Sequence, residues 1–369
     1  MKIPADVKSM PKVELHQHLD GSIPPAVTWR IMKSYGLNPV DSLAEMKKQL
    51  ILQPEEEGSL LRYLDKFHYP MWVTQFYENL VEVTAAVAGA AAKDGVQLFE
   101  LRYAPVIHMY AGLTTRQAIR SVLAGLNRAR EKHGIRCGLT VIAMRQHGPH
   151  VAKILAKAAV SEAEWLHDRS GVIGFDIAGM ERGNPPRLFG AAYEIARRGG
   201  LGLTAHAGED ASPQYVWEAI DELGCTRVGH GCSAIQDREL LKRMARDQIL
   251  VECAPTSNYQ TGAVKVGDPH PIHTFLEHGI PVAICTDNTT VSRTTHSGES
   301  ALVAKEIGVD AVREIHRQAE QHTFIGRTEH WKETHKGDHA AGPRKPRASA
   351  NGSAKGARSK RPRKKSSKA

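Results

Sequence analysis

Residues 202–231 read GLTAHAGEDASPQYVWEAIDELGCTRVGHG and contain one complete strand–helix–strand unit. Short apolar runs at 201–206 and 227–230 flank a segment, 214–223, whose apolar residues recur at helical spacing. Two successive strands that are joined through a helix pair in parallel, with the helix packed against the sheet. The residues that follow the two strands are therefore expected to meet at the same edge of the sheet.

The same unit recurs along the chain. Eight short apolar stretches are predicted as strands, at 12–18, 96–104, 138–144, 172–177, 201–206, 227–230, 249–253 and 281–286. Segments with helical spacing lie between most of them, at 115–133, 186–198, 214–223 and 236–247. Eight alternating units favour a closed (β/α)₈ barrel, the TIM barrel, over an open sheet.

The interval after the first predicted strand is unusually long. Residues 19–95 have room for several helices, which we expect at 25–35, 42–50, 60–67 and 73–92. A connection that leaves the carboxyl end of a barrel strand begins at the face where such enzymes carry their active sites. We therefore expect a helical insertion over the C-terminal mouth of the barrel.

The composition is that of an ordinary soluble protein. Hydrophobic residues make up 41% and charged residues 24% of the 369 residues. No apolar run reaches the roughly 18 residues that a membrane helix needs, and the first residues lack the apolar core of a secretory signal. Five cysteines are scattered without a C-x-x-C pair, which favours a reducing, cytoplasmic location.

The positive charge is concentrated at the C-terminal end. The chain carries a formal net charge of +9, and residues 340–369 contain eleven Lys or Arg and no acidic residue. Residues 1–339 then hold 38 basic and 40 acidic residues, so the body is slightly acidic. The segment 340–369 has no aromatic residue and no aliphatic residue larger than Ala, which predicts a disordered tail after a barrel domain at 1–339.

This tail supports a function of a different class. Its basic runs would attract the phosphate backbone of DNA or RNA, with strong salt dependence and little choice of sequence. The alternative is an extension that only increases solubility. Oligomeric state has no comparable signal in the sequence.

Polar residues gather where four of the predicted strands end. They lie in VELHQHLDG (13–21), TAHAGED (204–210), VGHG (228–231) and CTDN (285–288). His16 and His18 alternate with period two, so both imidazoles project to the same side of their strand. In a closed barrel these four strand ends lie around one mouth.

The residue types at these ends suit a metal centre. Three imidazoles and one carboxylate form a suitable ligand set for zinc or a similar divalent ion. A fourth His and a Glu would remain for acid–base chemistry on a water that the ion acidifies. A single buried His is more often an ordinary structural residue, so the prediction depends on the coincidence of four clusters.

Other zinc chemistries fit the sequence less well. The chain lacks the H-E-x-x-H of helical metalloproteases and the P-C-x-x-C of cytidine-type deaminases. It also lacks a lysine at a predicted strand end that could bridge two ions, so one ion is favoured.

The order and spacing of these motifs resembles the adenosine deaminase family. The matching segments are HxHLDG, GxDxAGxE, HAGE, GHG and TD, at 16–21, 174–181, 206–209, 229–231 and 286–287, and the resemblance covers about residues 8–325. It implies a cytoplasmic enzyme of purine metabolism, of the amidohydrolase superfamily, that holds one zinc ion. The ligands it implies are His16, His18, His206 and Asp287.

The resemblance also implies a mechanism. Glu209 would donate a proton to purine N1, and His230 would position and help to deprotonate the zinc-bound water. Hydroxide then attacks C6, and ammonia leaves, which converts adenosine or 2′-deoxyadenosine to inosine or 2′-deoxyinosine. Gly179 would contact purine N3 through its backbone N–H, and Asp20 would contact the ribose.

Two positions bear on the substrate. Asp20 lies in HLDG, and this motif resembles that of the adenosine enzymes. Relatives that act on free adenine or on some modified nucleosides carry HLEG instead. The alternative is that Asp20 has only a structural role, as the cap of the following helix. Asn288 stands where the family usually has a second Asp that hydrogen-bonds purine N7. An amide donates to N7 at any pH, so Asn288 is compatible with a purine. Adenine or a modified adenine nucleoside remains the alternative substrate.

Residues 61–73, LRYLDKFHYPMWV, resemble the lid that covers the purine pocket in this family. Phe67, Tyr69 and Trp72 would then form apolar walls. Aromatic residues at this spacing also occur in ordinary helix packing, which is the alternative.

Overall fold

The computed structural model describes residues 3–164 and 169–326, and within them it has the predicted barrel. Eight strands lie side by side in the order of the sequence, and every neighbouring pair is parallel. The strands are β1 (Lys12–His18), β2 (Val96–Tyr103), β3 (Arg136–Met144), β4 (Val172–Ala178), β5 (Gly202–Ala207), β6 (Arg227–His230), β7 (Leu250–Cys253) and β8 (Val282–Ile284). The prediction of a (β/α)₈ fold is confirmed.

The barrel closes between its last and first strands. Gln17 of β1 forms an isolated parallel bridge with Asp287, which follows β8. The N–H of His18 donates to the carbonyl of Asp287 at 2.7 Å, and the N–H of Asp287 donates to the carbonyl of His16 at 2.9 Å. The closure therefore places residues from the two ends of the barrel sequence side by side.

Fifteen α-helices lie among the described residues, and most pack on the outside of the barrel. They are α1 (Ala5–Ser9), α2 (Pro25–Ser34), α3 (Leu43–Leu50), α4 (Leu60–Asp65), α5 (His68–Val73), α6 (Tyr77–Lys93), α7 (Thr115–His133), α8 (Gly148–Val160), α9 (Gly190–Arg198), α10 (Pro213–Asp221), α11 (Arg238–Arg246), α12 (Pro255–Thr261), α13 (Ile272–Glu277), α14 (His296–Ile307) and α15 (Val309–Gln321). None of the helices in the described part of the chain is long and apolar enough to cross a membrane.

The insertion after β1 contains five helices, α2 to α6, where the sequence predicted four. The predicted helix at 73–92 begins later, at Tyr77, because α5 ends at Val73. The hydroxyl of Thr74 donates to the carbonyl of Pro70 at 2.8 Å at that end. The break separates α5 from the long helix α6, which packs against α7.

The interior of the barrel is charged below its mouth and apolar at its floor. Arg102 of β2 and Arg227 of β6 are fully buried and pair with Glu252 of β7 at 2.8 Å each. Phe324, from the segment after α15, closes the floor of the barrel, and the guanidinium of Arg227 lies 3.6 Å from the centre of its ring. A Cβ at position 202 would lie 2.2 Å from the Phe324 ring, so only a glycine at this position leaves room for the ring. The predicted tail at 340–369 lies outside the described residues.

Candidate metal centre and active site

Three imidazoles and one carboxylate converge at the mouth of the barrel. Nε2 of His18 lies 3.3 Å from Nε2 of His16 and 3.1 Å from Nε2 of His206. Oδ1 of Asp287 lies 3.3 Å from His18 Nε2 and 3.7 Å from His16 Nε2. His16 and His18 lie at the carboxyl end of β1, and His206 lies at that of β5. Asp287 follows β8, at the point where the barrel closes.

These separations fit a divalent ion bound by the four atoms. Ligand atoms about 2.0–2.1 Å from a tetrahedral zinc lie about 3.3 Å from one another. Imidazole nitrogens this close in a buried place need a cation between them or a proton shared among them. Burial and the Arg102 charge hold the pKa of His16 well below its ordinary value, and burial lowers the pKa of His18 to about 3, so both rings are neutral with free lone pairs.

Two buried carboxylates fix the orientation of the imidazoles. Nδ1 of His16 lies 2.8 Å from Oε2 of Glu252, and Nδ1 of His206 lies 2.9 Å from Oδ2 of Asp176. His16 therefore carries its proton on Nδ1 and presents the lone pair of Nε2 to the cluster, the usual arrangement behind a metal-binding histidine. Burial lowers the pKa of His206, but the charge of Asp176 beside its Nδ1 more than offsets this effect and raises the pKa. Arg102 donates to both carboxylates, at 2.9 and 2.8 Å, and so compensates their charge.

Asp287 is held by a hydroxyl and by its backbone. Oγ of Ser257 donates to Oδ2 of Asp287 at 2.5 Å, which leaves Oδ1 facing the histidines. The backbone at Asp287 has φ +57°, in the left-handed region where a residue other than glycine is uncommon. The neighbouring histidines more than offset the effect of burial, so the pKa of Asp287 is lowered and the group is ionised.

Two further titratable groups, Glu209 and His230, lie beside the cluster. Oε2 of Glu209 lies 3.7 Å from Nε2 of His230, and the ring centre of His230 lies 4.9 Å from that of His16. Burial raises the pKa of Glu209 although the adjacent His230 opposes the shift. Glu209 also lines a cavity of about 470 Å³, together with Tyr215 and Ser233.

The loop that carries Glu209 wraps around the carboxylate of Glu181. The N–H of Gly208 donates to Oε1 at 2.8 Å, and those of Asp210 and Ala211 donate to Oε2 at 2.7 and 2.9 Å. Gly208 has φ +74°, and a Cβ there would lie 2.6 Å from Oγ of Ser233. The tight turn at glycine thus directs the Glu209 side chain inward while its neighbours hold the turn.

The three residues predicted to bind substrate lie at the same mouth. Asp20 begins a short 3₁₀ turn directly after β1, and its Oδ1 is buried without a hydrogen-bond partner among the described residues. Burial raises the pKa of Asp20 to about 6, an effect that backbone N–H groups partly oppose. Helix α2 is capped at Pro24, not by Asp20, so the alternative of a helix cap for Asp20 is wrong.

Gly179 and Asn288 occupy two further strand ends. Gly179 follows β4 with φ +91°, and a Cβ there would lie 2.5 Å from Oε1 of Gln146. Asn288 is buried beside Asp287, and its Oδ1 has no partner in the part of the chain that the structure describes. A Cβ at position 21 would lie 1.8 Å from this oxygen, so Gly21 makes room for the Asn288 side chain.

The predicted lid aromatics lie in different environments. Phe67 packs against a small buried cluster of Leu52, Tyr63 and Val291, whereas Trp72 is 47% exposed. Tyr63 connects this region to the site, because its hydroxyl lies 2.7 Å from Oγ of Ser292 and 3.5 Å from that of Ser257.

Several residues that organise the site had no role in the sequence prediction. They are Arg102, Asp176, Glu181, Glu252, Ser257, Asn258 and His270. Asp176 and Glu181 lie within GxDxAGxE (174–181), a motif that was recognised. Glu252 on β7 points into the barrel, where it pairs with Arg102 and Arg227. Arg102 has no local sequence signal, because its partners Asp176 and Glu252 lie on two other strands. His270 has none either, although its partners are Asn258 of α12 and the nearby N–H of Ile272.

Comparison with known proteins shows the family. The model of the family described as adenosine deaminase matches residues 11–332. An adenosine deaminase of Enterococcus faecalis is 34% identical over 323 residues, which cover 86% of this chain and 93% of the relative. An adenosine deaminase of Shewanella denitrificans is 33% identical over 303 residues, covering 82% of this chain and 89% of the relative.

Solved structures share the fold. An amidohydrolase from Burkholderia ambifaria with bound Zn has a TM-score of 0.78 at 22% identity, covering 91% of this chain and 93% of that one. An adenine deaminase from Arthrobacter aurescens has a TM-score of 0.75 at 23% identity, with coverages of 88% and 99%. The N6-methyl-AMP deaminase of Arabidopsis thaliana has a TM-score of 0.75 at 24% identity, with coverages of 90% and 99%.

Proposed function

The chain belongs to the adenosine deaminase family, and we propose that it hydrolyses adenosine or 2′-deoxyadenosine to inosine or 2′-deoxyinosine with release of ammonia. One observation supports this proposal above the others. Nε2 of His18 lies 3.1–3.3 Å from Nε2 of His16, Nε2 of His206 and Oδ1 of Asp287, and beside these atoms lies the partly buried Glu209 carboxyl group, whose pKa is raised. These are the two components that a hydrolytic attack on purine C6 requires.

His16, His18, His206 and Asp287 would hold one divalent ion, for which zinc suits the three nitrogen ligands and the carboxylate. When bound, the ion would lower the pKa of a water molecule to about 7 and so make hydroxide available near neutral pH. The Nδ1 contacts of His16 and His206 keep the Nε2 lone pairs directed at the ion.

Glu209 would deliver the proton that activates the purine. A carboxyl group must be protonated to donate to N1, and burial raises the pKa of Glu209 in that direction. Protonation at N1 withdraws electrons from C6, so water oxygen adds there and the amino group leaves as ammonia. His230, whose Nε2 lies 3.7 Å from Glu209 Oε2, would orient the attacking water.

Asp20, Gly179 and Asn288 would orient the nucleoside. The unpartnered Oδ1 of Asp20 is available to accept from a ribose hydroxyl. The backbone N–H of Gly179 would donate to N3, and the amide of Asn288 would donate to N7, which accepts hydrogen bonds only. Sugar recognition by Asp20 is the reason to favour a nucleoside over the free base.

A substrate panel tests this proposal. The purified, zinc-loaded protein is assayed with adenosine, 2′-deoxyadenosine, adenine and N6-methyl-AMP, and kcat/KM is compared. We expect the two nucleosides to exceed adenine and the methylated nucleotide by at least about 100-fold, the contribution of one or two satisfied polar contacts.

The same panel tests two alternative substrates, adenine and N6-methyl-AMP. Adenine deaminase and N6-methyl-AMP deaminase are the activities of two proteins that share this fold. A higher kcat/KM for adenine would assign the chain to the free base and contradict the role of Asp20. A higher value for N6-methyl-AMP would show that the site accepts both a phosphate and a substituted amino group.

A further inference from the structure

A chain of hydrogen bonds leads from a backbone amide to His230. The N–H of Ile272 donates to Nδ1 of His270 at 3.1 Å. A backbone N–H is only a donor, so Nδ1 of His270 carries no proton, and the neutral ring holds its proton on Nε2. His270 is 5% exposed, and burial disfavours its charged form.

The proton on His270 fixes the amide of Asn258. Nε2 of His270 lies 3.0 Å from Oδ1 of Asn258, so the imidazole donates and the amide oxygen accepts. The opposite end of the amide is then the NH₂ group, whose Nδ2 lies 2.9 Å from Nδ1 of His230. The orientation of the Asn258 amide follows from its partners and not from its shape.

The same logic assigns the proton of His230. Because Asn258 donates to Nδ1 of His230, that nitrogen is an acceptor, and the neutral ring carries its proton on Nε2. Nε2 is the nitrogen that faces Glu209 at the mouth. We propose that His270 and Asn258 are positioning residues that hold His230 as a hydrogen-bond donor through Nε2, so that His230 orients the attacking oxygen and is not the base. The proton that the water gives up would pass to solvent before the attack, as the lowered pKa of a metal-bound water allows.

Burial enforces this arrangement. Asn258 is fully buried and His230 is 1% exposed, so solvent does not replace either partner. If the Asn258 amide were rotated by 180°, its NH₂ group would point at the Nε2–H of His270, so two donors would meet. Its oxygen would point at the unprotonated Nδ1 of His230, so two acceptors would meet. The left-handed backbone at His230, with φ +64°, is a second sign that the site holds this ring in a set position.

The inference rests on the proposed function only for the role of His230, and the tautomer is measured without substrate. Protein labelled with ¹⁵N at histidine is examined by long-range ¹H–¹⁵N NMR, with zinc bound. The His230 signal is identified by its loss in His230→Gln. We expect an unprotonated Nδ1 and a protonated Nε2. A protonated Nδ1 of His230 would overturn the proposal.

Asn258→Asp tests the relay directly. A carboxylate at position 258 accepts from Nδ1–H of His230, so the proton should appear on Nδ1. We expect kcat for adenosine to fall about 100-fold or more while KM changes little, because Asn258 acts through His230. An unchanged tautomer in this variant would contradict the relay.

Asn127→Asp is the matched control. Asn127 lies on α7, where its amide bonds to the carbonyl of Leu123 and the N–H of Ser170, away from the mouth. The same change from amide to carboxylate there should leave the His230 spectrum and kcat unchanged.

Two variants at position 270 keep the test independent of a folding defect in Asn258→Asp. His270→Gln can still donate to Asn258 Oδ1 and should keep the wild-type tautomer, whereas His270→Leu should give a mixture of both tautomers. A single Nε2–H tautomer in His270→Leu would overturn the relay. A protein that has the expected tautomers and deaminates no purine would contradict the proposed function and leave the relay standing.

Discussion

Replacing Glu181 by Gln should displace the loop that carries Glu209. The carboxylate accepts three backbone N–H bonds at 2.7–2.9 Å and is 3% exposed. A glutamine keeps one accepting oxygen and places its NH₂ group against at least one of these donors. A hydrogen bond to a charged group contributes about 1.5–3 kcal/mol, so one lost bond and two weakened ones cost about 3 kcal/mol.

Two measurements report this loss. Hydrogen exchange at residues 208–211 should accelerate, because the amides lose their acceptor. A displacement of about 1 Å at a catalytic group costs about 100-fold, so we expect kcat/KM for adenosine to fall by that factor with metal content unchanged. Glu218→Gln is the control, since this buried carboxylate on α10 binds Arg187 and does not contact the loop.

A double-mutant cycle separates positioning from general destabilisation. If Glu181 acts through Glu209, adding Glu181→Gln to Glu209→Gln should lower the residual activity little further. Multiplicative losses would indicate that the two residues act independently. A Glu181→Gln enzyme with wild-type loop exchange and wild-type kcat/KM would show that Glu181 does not position Glu209.

Three further predictions follow from the same structure. Asp176→Asn should weaken metal binding about 10–100-fold in a chelator competition, because the amide no longer holds the Nδ1 proton of His206; unchanged affinity would contradict the role of Asp176. Burial raises the pKa of Glu209, so kcat/KM should fall as pH rises through that pKa, and this alkaline limb should vanish from the residual activity of Glu209→Gln; a limb that persists belongs to another group. Deleting 340–369 should abolish low-salt DNA binding and leave deamination intact, and binding that survives would exclude the tail as its cause.

Much of the fold, and the convergence of His16, His18, His206 and Asp287, could be predicted because each depends on local patterns. Period-two alternation in β1 places His16 and His18 on one side, and parallel strands bring His206 to the same mouth. The contact of Asp287 with them needs only that the barrel closes, since residue 287 follows the last strand.

The groups that orient the ligands were less accessible to sequence reasoning. Arg102 and Glu252 are charged residues inside a barrel, where a pattern of apolar residues gives no reason to expect them, and each is compensated by a partner on another strand. The tautomer of His230 depends on Asn258, His270 and a backbone N–H of α13, a combination that exists only after folding.

The most direct test of the account follows the ultraviolet absorbance of adenosine with purified protein, first stripped by chelator and then reloaded with zinc. We expect conversion to inosine by the reloaded protein, negligible conversion by the stripped protein, and about one ion bound per chain. Two results would contradict a catalytic metal centre formed by His16, His18, His206 and Asp287. One is conversion at the same rate with and without chelator, and the other is a folded protein that binds no metal ion.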